Sequence, residues 1–190
     1  KGYPKILSDP DIWNIIDGQL DFMIKEDYEG RMTTFLIAIS PLFQIRPSHI
    51  MLNGESALGK SWLAVNSVNM LPQEHVRIIG SSTQRAWFYD GEPVTGENEQ
   101  NQQKFIDYYL INWKRKTIVI LDNVDEKTIK DLKPVMSHDR TEESIDIQTT
   151  MKTKSGKQKM YKLKIIGCPS FVNCTTNLHW NDELSTRHFF

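Results

Sequence analysis

Hydrophobic and polar positions follow two different periods along the chain, and these periods predict its helices and strands. Near the N-terminus, Ile12, Ile15, Ile16, Leu20 and Met23 recur at spacings typical of an amphipathic helix. Shorter apolar runs bounded by Pro, Gly or Asp predict strands, because such residues favour turns. The predicted helices are 10–28, 33–43, 60–71, 84–90, 103–114 and 126–137. The predicted strands are 48–54, 75–82, 117–123 and 170–177.

A strict alternation of apolar and polar residues lies on both sides of a glycine-containing turn. Residues 144–154 and 159–167 alternate in this way and flank the turn, which predicts a β-hairpin. Residues 91–102 are polar and turn-rich, which predicts an exposed loop. Helices that separate buried strands imply an α/β domain of three layers with a largely parallel sheet. We therefore expect an N-terminal helical segment over 1–45 and an α/β core with an inserted hairpin over 46–190.

Composition and charge narrow the possible classes of protein. Hydrophobic residues make up 39% of the chain and charged residues 25%, as in an ordinary globular domain. The net charge is -1, so any contact with nucleic acid must come from a local basic patch. No apolar run reaches the roughly 20 residues that span a bilayer, and the first residues do not resemble a secretory signal. We therefore expect no membrane contact and a location in the cytoplasm, nucleoid or host-cell interior.

The two cysteines lie close together in one apolar stretch. Cys168 and Cys174 show no paired Cys or His spacing of the kind that metal sites use. We therefore expect reduced cysteines in a buried strand, rather than a disulfide or a metal site.

The stretch NGESALGKSW, residues 53–62, carries the strongest chemical signal. A predicted strand precedes it and a predicted helix follows it, which is the context that a phosphate-binding loop requires. Gly54 and Gly59 allow the backbone to wrap around phosphate oxygens, and the helix N-terminus supplies partial positive charge. Lys60 is expected to reach the β- and γ-phosphates of ATP, and the Ser61 hydroxyl to bind Mg²⁺. The expected nucleotide-binding residues are Gly54, Glu55, Ser56, Ala57, Leu58, Gly59, Lys60, Ser61 and Trp62.

A second motif, TIVILDN, ends a predicted buried strand in an acidic residue. The Asp122 carboxylate can hold Mg²⁺ together with Ser61. The next residue, Asn123, can orient a water molecule but is a very poor base. Three possibilities follow: hydrolysis is slow, Asn123 suffices for positioning, or Asp125 or Glu126 supplies the base.

The last predicted strand ends in TTN, and a basic residue follows it ten positions later. A polar residue at this strand tip could contact the γ-phosphate or the attacking water, and we expect this to be Asn177, with Thr176 as the second choice. Arg187, in DELSTRHF, is a candidate arginine finger that reaches the γ-phosphate of a neighbouring subunit. The expected catalytic residues are Lys60, Asp122, Asn123, Asn177 and Arg187.

In this order, these motifs resemble those of the AAA+ P-loop ATPases. GESALGKS resembles Walker A, IVILDN resembles Walker B, TTN resembles sensor 1, and the DEL..R box carries Arg187. The resemblance covers roughly residues 48–190 and is nearest to the branch with a β-hairpin before sensor 1, which includes minichromosome-maintenance and superfamily 3 helicases. It implies a three-layer P-loop NTPase core that binds ATP and Mg²⁺ at the interfaces of a homo-oligomer, often a hexameric ring. Asn123 departs from the glutamate usual in the family. The family's helical lid is missing, so we expect the chain to be a piece of a longer protein.

The predicted hairpin indicates what the ATP is used for. Residues 152–164 contain six of the chain's 23 basic residues and no acidic residue. In a ring pore, such a hairpin would contact the phosphate backbone of DNA through its charge. The alternative is a solvated hairpin whose charged edge prevents aggregation. The expected nucleic-acid contacts are Lys152, Lys154, Lys157 and Lys159, with Lys162 and Lys164 nearer the base.

Three functions fit these expectations. The first is an ATP-driven DNA helicase or translocase motor, acting in the replication of a virus, a plasmid or a similar element on single- or double-stranded DNA. The second is a slowly hydrolysing ATP switch of the replication-initiator or helicase-loader type, which Asn123 favours. The third is an AAA+ protein remodeller. A remodeller is expected to carry an aromatic-hydrophobic pore loop, so the lysine-rich hairpin argues against it.

Overall fold

The described part of the computed structural model contains three α-helices, two short 3₁₀-helices (Ser40–Phe43 and Gln73–His75), a further helical segment and eight strands. The described residues are 9–43, 47–80, 91–97, 104–122, 132–136, 144–152 and 158–176. The helices are α1 (Ile12–Met23), α2 (Tyr28–Ile39) and α3 (Lys60–Val68), and residues 132–136 are also helical. The strands are β1 (Ile50–Asn53), β2 (Val76–Ile79), β3 (Glu92–Glu97), β4 (Lys104–Asn112), β5 (Thr117–Ile120), β6 (Ser144–Lys152), β7 (Gln158–Ile166) and β8 (Ser170–Thr175).

Four strands form a parallel sheet in the order β1-β8-β5-β2. The strand that comes last in sequence, β8, lies inside this sheet, with Leu52 of β1 opposite Cys174 and Val119 of β5 opposite Val172. All four residues of β5 are buried, as its continuous apolar run predicts. The predicted α/β class and the parallel sheet are therefore confirmed.

Two hydrophobic cores lie on opposite faces of the parallel sheet. Val119 and Val172 pack on one face in a cluster that includes residues of α1, α2 and α3. Ile118 and Phe171 pack on the other face with residues 132–136 and with residues of β4 and β7. Neighbouring residues of a strand point to opposite faces, so β5 and β8 contribute to both cores. The sheet is therefore the middle layer between the helices and a second sheet.

The second sheet has the strand order β3-β4-β7-β6 and corrects two predictions. The predicted hairpin is confirmed, because β6 and β7 pair antiparallel without a register shift. The predicted helix 103–114 is wrong, because β4 occupies Lys104–Asn112. The predicted loop 91–102 is wrong over Glu92–Glu97, which forms β3. The apolar and aromatic run of β4 fits either periodicity, and its parallel pairing with the distant β7 decides for the strand.

The first two helices begin and end at other residues than the sequence predicts. A single helix over 10–28 is wrong at its C-terminal end, because α1 ends at Met23 and α2 begins at Tyr28. The cause is Asp27, whose side chain accepts a hydrogen bond from the Gly30 amide at 2.9 Å and caps α2. Segment 84–90 lies outside the described residues. In the described part of the chain, every helix is too short or too polar to cross a bilayer.

Arg31 joins α1 to α2 in a buried ion-pair network. The Arg31 side chain is only 6% exposed, and its guanidinium donates to Asp17 and Asp21 at 2.7 Å each. A further hydrogen bond of 2.8 Å runs from Nη1 to the Ile24 carbonyl, directly after the end of α1. A buried charge requires such partners. These contacts fix the C-terminal end of α1 against α2.

Two fully buried threonines differ in their hydrogen bonding, so we expect replacement by Val to change stability in opposite directions at the two positions. Among the described residues, the Thr34 hydroxyl has no hydrogen-bond partner, whereas Thr117 Oγ1 donates to the Ala38 carbonyl at 2.5 Å. We expect Thr34→Val to raise the free energy of unfolding by about 1 kcal/mol, because it removes an unsatisfied buried hydroxyl. We expect Thr117→Val to lower it by about 1–2 kcal/mol. Urea denaturation of both variants measures the difference, and shifts of the same sign would contradict this interpretation.

Candidate phosphate-binding site

The carboxyl ends of β1, β8 and β5 meet at a cavity of about 400 Å³. Ligands of parallel α/β sheets bind outside the carboxyl ends of the strands, and this volume falls in the range of small-molecule sites. Residues 56–62, from the loop and the first turn of α3, line one side. Residues after β5 and at the end of β8 line the other side: Leu121, Asp122, Cys174, Thr175 and Thr176. Tertiary folding therefore brings three separated stretches of sequence together.

The loop reaches α3 through left-handed backbone conformations. Gly59 directly precedes α3 with φ of 79°, and Ala57 has φ of 67°. A Cβ atom on Gly59 would meet no atom within 4 Å, so the backbone conformation rather than space favours glycine. The first amide groups of a helix have no acceptor within that helix. The N-terminus of α3 therefore adds partial positive charge to the cavity.

Lys60 places its ammonium group inside the loop. Its Nζ donates a hydrogen bond of 2.8 Å to the Gly54 carbonyl and a second one to the Glu55 carbonyl. Gly54 and Glu55 thus contact the lysine without being among the residues that line the cavity. The positive charge of Lys60 and the partial positive charge of the N-terminus of α3 lie close to each other, so this side of the cavity is positive.

Polar side chains at the tips of β5 and β8 face this positive region across the cavity. Asp122 is exposed, Thr175 is 3% exposed, and Thr176 is exposed. Because β8 separates β1 from β5, its tip lies between the loop and Asp122. The order of strands therefore places a hydroxyl-bearing tip between a cationic loop and a carboxylate.

The donors at the cavity fit Mg²⁺ held partly by phosphate. Ser61 and Asp122 both line the cavity and offer one hydroxyl and one carboxylate. Among the described residues, no cluster of three or more His, Cys, Asp or Glu could hold a metal by itself. Mg²⁺ in phosphate-transfer sites uses one or two carboxylates, substrate phosphates and water, so a small protein donor set suits it.

Cys174 and Thr175 also line the cavity, although sequence reasoning did not include them in the site. Burial raises the pKa of the Cys174 thiol, whereas a hydrogen bond with the Ser61 side chain and the charge of Lys60 act in the opposite direction. Cys174 therefore contacts the first turn of α3. Cys174 and Thr175 directly precede Thr176 in the predicted strand 170–177, and this position was the signal that could have included them in the site. Cys174 is buried in β8, as predicted, whereas Cys168 is half-buried and lies between β7 and β8 rather than in a strand.

The hairpin extends well past its packed base. Ile147 and Leu163 pack in the core opposite each other, and the ladder continues for five more pairs up to Lys152–Gln158. At about 3.4 Å per residue, this distance is roughly 17 Å. Lys152 and Lys159 belong to the last two of these pairs. The hairpin thus carries its lysine-rich end away from the core.

The two lysines nearer the base of the hairpin differ from each other. Lys162 is exposed, whereas Lys164 is half-buried and its Nζ lies 5.9 Å from the centre of the Tyr108 ring. Lys164 therefore packs on β4 and is less available to a ligand than Lys162.

Several predicted site residues lie outside the described residues and remain predictions. They are Asn123, Asn177 and Arg187, the alternative bases Asp125 and Glu126, and the hairpin lysines Lys154 and Lys157. No protein-family model and no curated protein matches the chain. The assignment of function therefore rests on the residues of the site and their geometry.

Proposed function

We propose that this chain is an AAA+ type P-loop ATPase that works as the motor of a DNA helicase or translocase. The observation that carries the proposal is the position of β8 between β1 and β5. This order supports a shared site for the loop, the polar tip of β8 and Asp122. Phosphoryl transfer needs all three: a cationic cradle for the phosphates, a group that positions water, and a carboxylate for the metal.

The loop residues bind the phosphate chain of ATP. Lys60 exchanges its contacts with the Gly54 and Glu55 carbonyls for phosphate oxygens, because hydrogen bonds between charged groups are stronger than those to a neutral carbonyl. Ser61 and Asp122 would hold Mg²⁺, and the bound ion would neutralise charge that develops on the phosphates. These three side chains would orient the phosphate end of the nucleotide.

The remaining catalytic roles belong to residues beyond the described part of the chain. Asn123 and Asn177 position the attacking water, and Arg187 stabilises the transition state of a neighbouring subunit. A residue that acts on a neighbour requires a homo-oligomer, and a hexameric ring satisfies this requirement. The projecting hairpin then lies where a DNA strand can contact its lysines.

Hydrolysis of ATP, measured with and without single-stranded DNA, tests this proposal. We expect Mg²⁺-dependent hydrolysis that DNA stimulates several-fold, because a motor couples turnover to its track. Tight ATP binding with negligible turnover, with or without DNA, would support the slow switch, which the sequence favours through Asn123. A chain that does not bind ATP would refute both functions.

Removal of charge from the end of the hairpin should weaken DNA binding. We expect replacement of Lys154, Lys157 and Lys159 by Ala to lower affinity for single-stranded DNA. The slope of log K against log salt should become shallower by about 2, since each phosphate contact contributes about 0.7. Fluorescence anisotropy at several salt concentrations measures both changes.

The matched control replaces the same three lysines by Arg, which preserves the charge. We expect this variant to keep the wild-type salt dependence, because nonspecific contacts depend on charge. An unchanged affinity and slope in the Ala variant would leave the lysines as a solvated edge that prevents aggregation.

A further inference from the structure

Two of the apolar residues that line the cavity have large, exposed side chains. Leu58 and Trp62 both line the cavity and are 68% and 57% exposed. The cavity volume of about 400 Å³ suits a whole small-molecule ligand. Trp62 follows Ser61 directly, so an aromatic surface begins where the proposed phosphate contacts end.

The Trp62 ring is held in place although most of it is open to solvent. Its Nε1 donates a hydrogen bond of 2.9 Å to the carbonyl of Met23, the last residue of α1. The last carbonyls of a helix have no donor within that helix, so this acceptor is available. The end of α1 is fixed in turn, because Arg31 donates to the Ile24 carbonyl at 2.8 Å. The Trp62 ring is therefore held by a hydrogen bond although it is not buried among other side chains.

An aromatic ring fixed in this way is preorganised for a flat ligand. Holding a side chain in one conformation costs entropy, and a ring that is already held loses less when it binds. Aromatic side chains stack on the flat faces of nucleobases, whatever the base. The ligand that joins a phosphate chain to a flat aromatic group is a nucleotide.

We propose that Trp62 is the platform on which the base of the bound nucleotide stacks. This rests on the proposed function, because it assigns the base end of a ligand whose phosphates occupy the loop. Stacking does not read the edges of the base, so Trp62 strengthens binding of ATP and GTP alike. The hydrogen bond to Met23 fixes the platform and links α1 to the occupied site.

Two kinds of probe isolate the contribution of the base: the nucleotides MgATP and MgGTP, and Mg-tripolyphosphate. Tripolyphosphate carries the phosphates but neither the ribose nor the base. We expect Trp62→Ala to weaken ATP and GTP binding by about 10- to 100-fold, the effect of losing one stacked base. We expect its affinity for tripolyphosphate to change less than about threefold, since the loop is retained. Isothermal titration calorimetry on the 190-residue chain measures all three ligands.

Two further variants separate stacking from other effects. Trp62→Phe keeps an aromatic ring but removes the N–H donor to Met23, and we expect it to retain most of the preference for ATP over tripolyphosphate. Trp13→Ala removes a tryptophan of similar exposure, 52%, that does not line the cavity, and we expect no change. Thermal unfolding of each variant shows whether it is folded at the titration temperature.

The possible outcomes distinguish the platform from the phosphate site. Equal losses of ATP and tripolyphosphate binding in Trp62→Ala would mean that Trp62 acts through the loop, which overturns the platform. Unchanged ATP binding in that variant would overturn it as well, while leaving the phosphate site intact. A wild-type chain that binds neither probe would overturn the phosphate site and the platform together.

Discussion

The Lys60→Ala variant is expected to bind ATP at least about 100-fold more weakly than the wild-type chain. Hydrogen bonds to charged groups contribute about 1.5–3 kcal/mol each, and two such bonds to phosphate oxygens correspond to this loss or more. Lys60 brings its ammonium to the inside of the loop, between the Gly54 and Glu55 carbonyls. Because no other lysine or arginine in the described part of the chain lines the cavity, its charge has no substitute there. Calorimetric titration with MgATP measures the loss.

A matched control for this variant is Lys25→Ala. Lys25 forms an exposed ion pair with Asp21 of α1 and is not among the residues that line the cavity. Exposed ion pairs contribute little to stability, so this variant should bind ATP like the wild type. If Lys60→Ala bound ATP within about threefold of Lys25→Ala, the assignment of the loop as a phosphate site would be wrong.

The Gly167→Ala variant is expected to lose about 3 kcal/mol or more of its free energy of unfolding. Gly167 has φ of 88°, which already disfavours a side chain. An added Cβ would also lie 2.4 Å from the Lys114 amide nitrogen and 2.7 Å from the Trp113 carbonyl carbon. These are backbone atoms next to a hydrogen bond of 2.8 Å from the Trp113 amide to the Ile166 carbonyl, so they cannot move away at low cost. Urea denaturation measures the midpoint and the slope.

Gly18→Ala is the matched control for this substitution. Gly18 lies within α1, and an added Cβ would meet no atom within 4 Å. Alanine in a helix interior is favoured over glycine by about 0.5–1 kcal/mol, so this variant should become more stable. A loss of less than about 1 kcal/mol in Gly167→Ala would show that the chain between β7 and β8 can adjust, contrary to the close approach in the structure.

Position 167 also connects the two halves of the proposed mechanism. It lies between β7, which carries the lysine-rich hairpin, and β8, whose tip lines the cavity.

The loop before α3 and the β5 strand could be located from the sequence because their signals are local. A glycine with a positive φ, a lysine and a hydroxyl residue at the start of a helix are adjacent in the chain. The strand before Asp122 is buried at every residue, so its apolar run is continuous. Residues adjacent in the chain are thus enough to predict both the loop and the strand. The structure shows that both lie at one cavity.

The other two strands of the second sheet, β3 and β4, could not be located in the same way. β4 pairs in parallel with β7, and the two strands are separated by about fifty residues of sequence. The run around Tyr108 and Tyr109 fits either a helix or a strand on its own. Pairing with a partner strand decides between helix and strand, and the residues of the run do not show which distant segment that partner is.

The sequence by itself determined the α/β class, the hairpin, the loop of residues 53–62 and the acidic end of the β5 strand. These features follow from periodicity and from residues adjacent in the chain. Only the tertiary structure decided that β8 lies between β1 and β5 and that the Trp62 ring is held by the carboxyl end of α1. Both depend on contacts between segments that are distant in the sequence. Such contacts form, and contribute to stability, only when the chain folds.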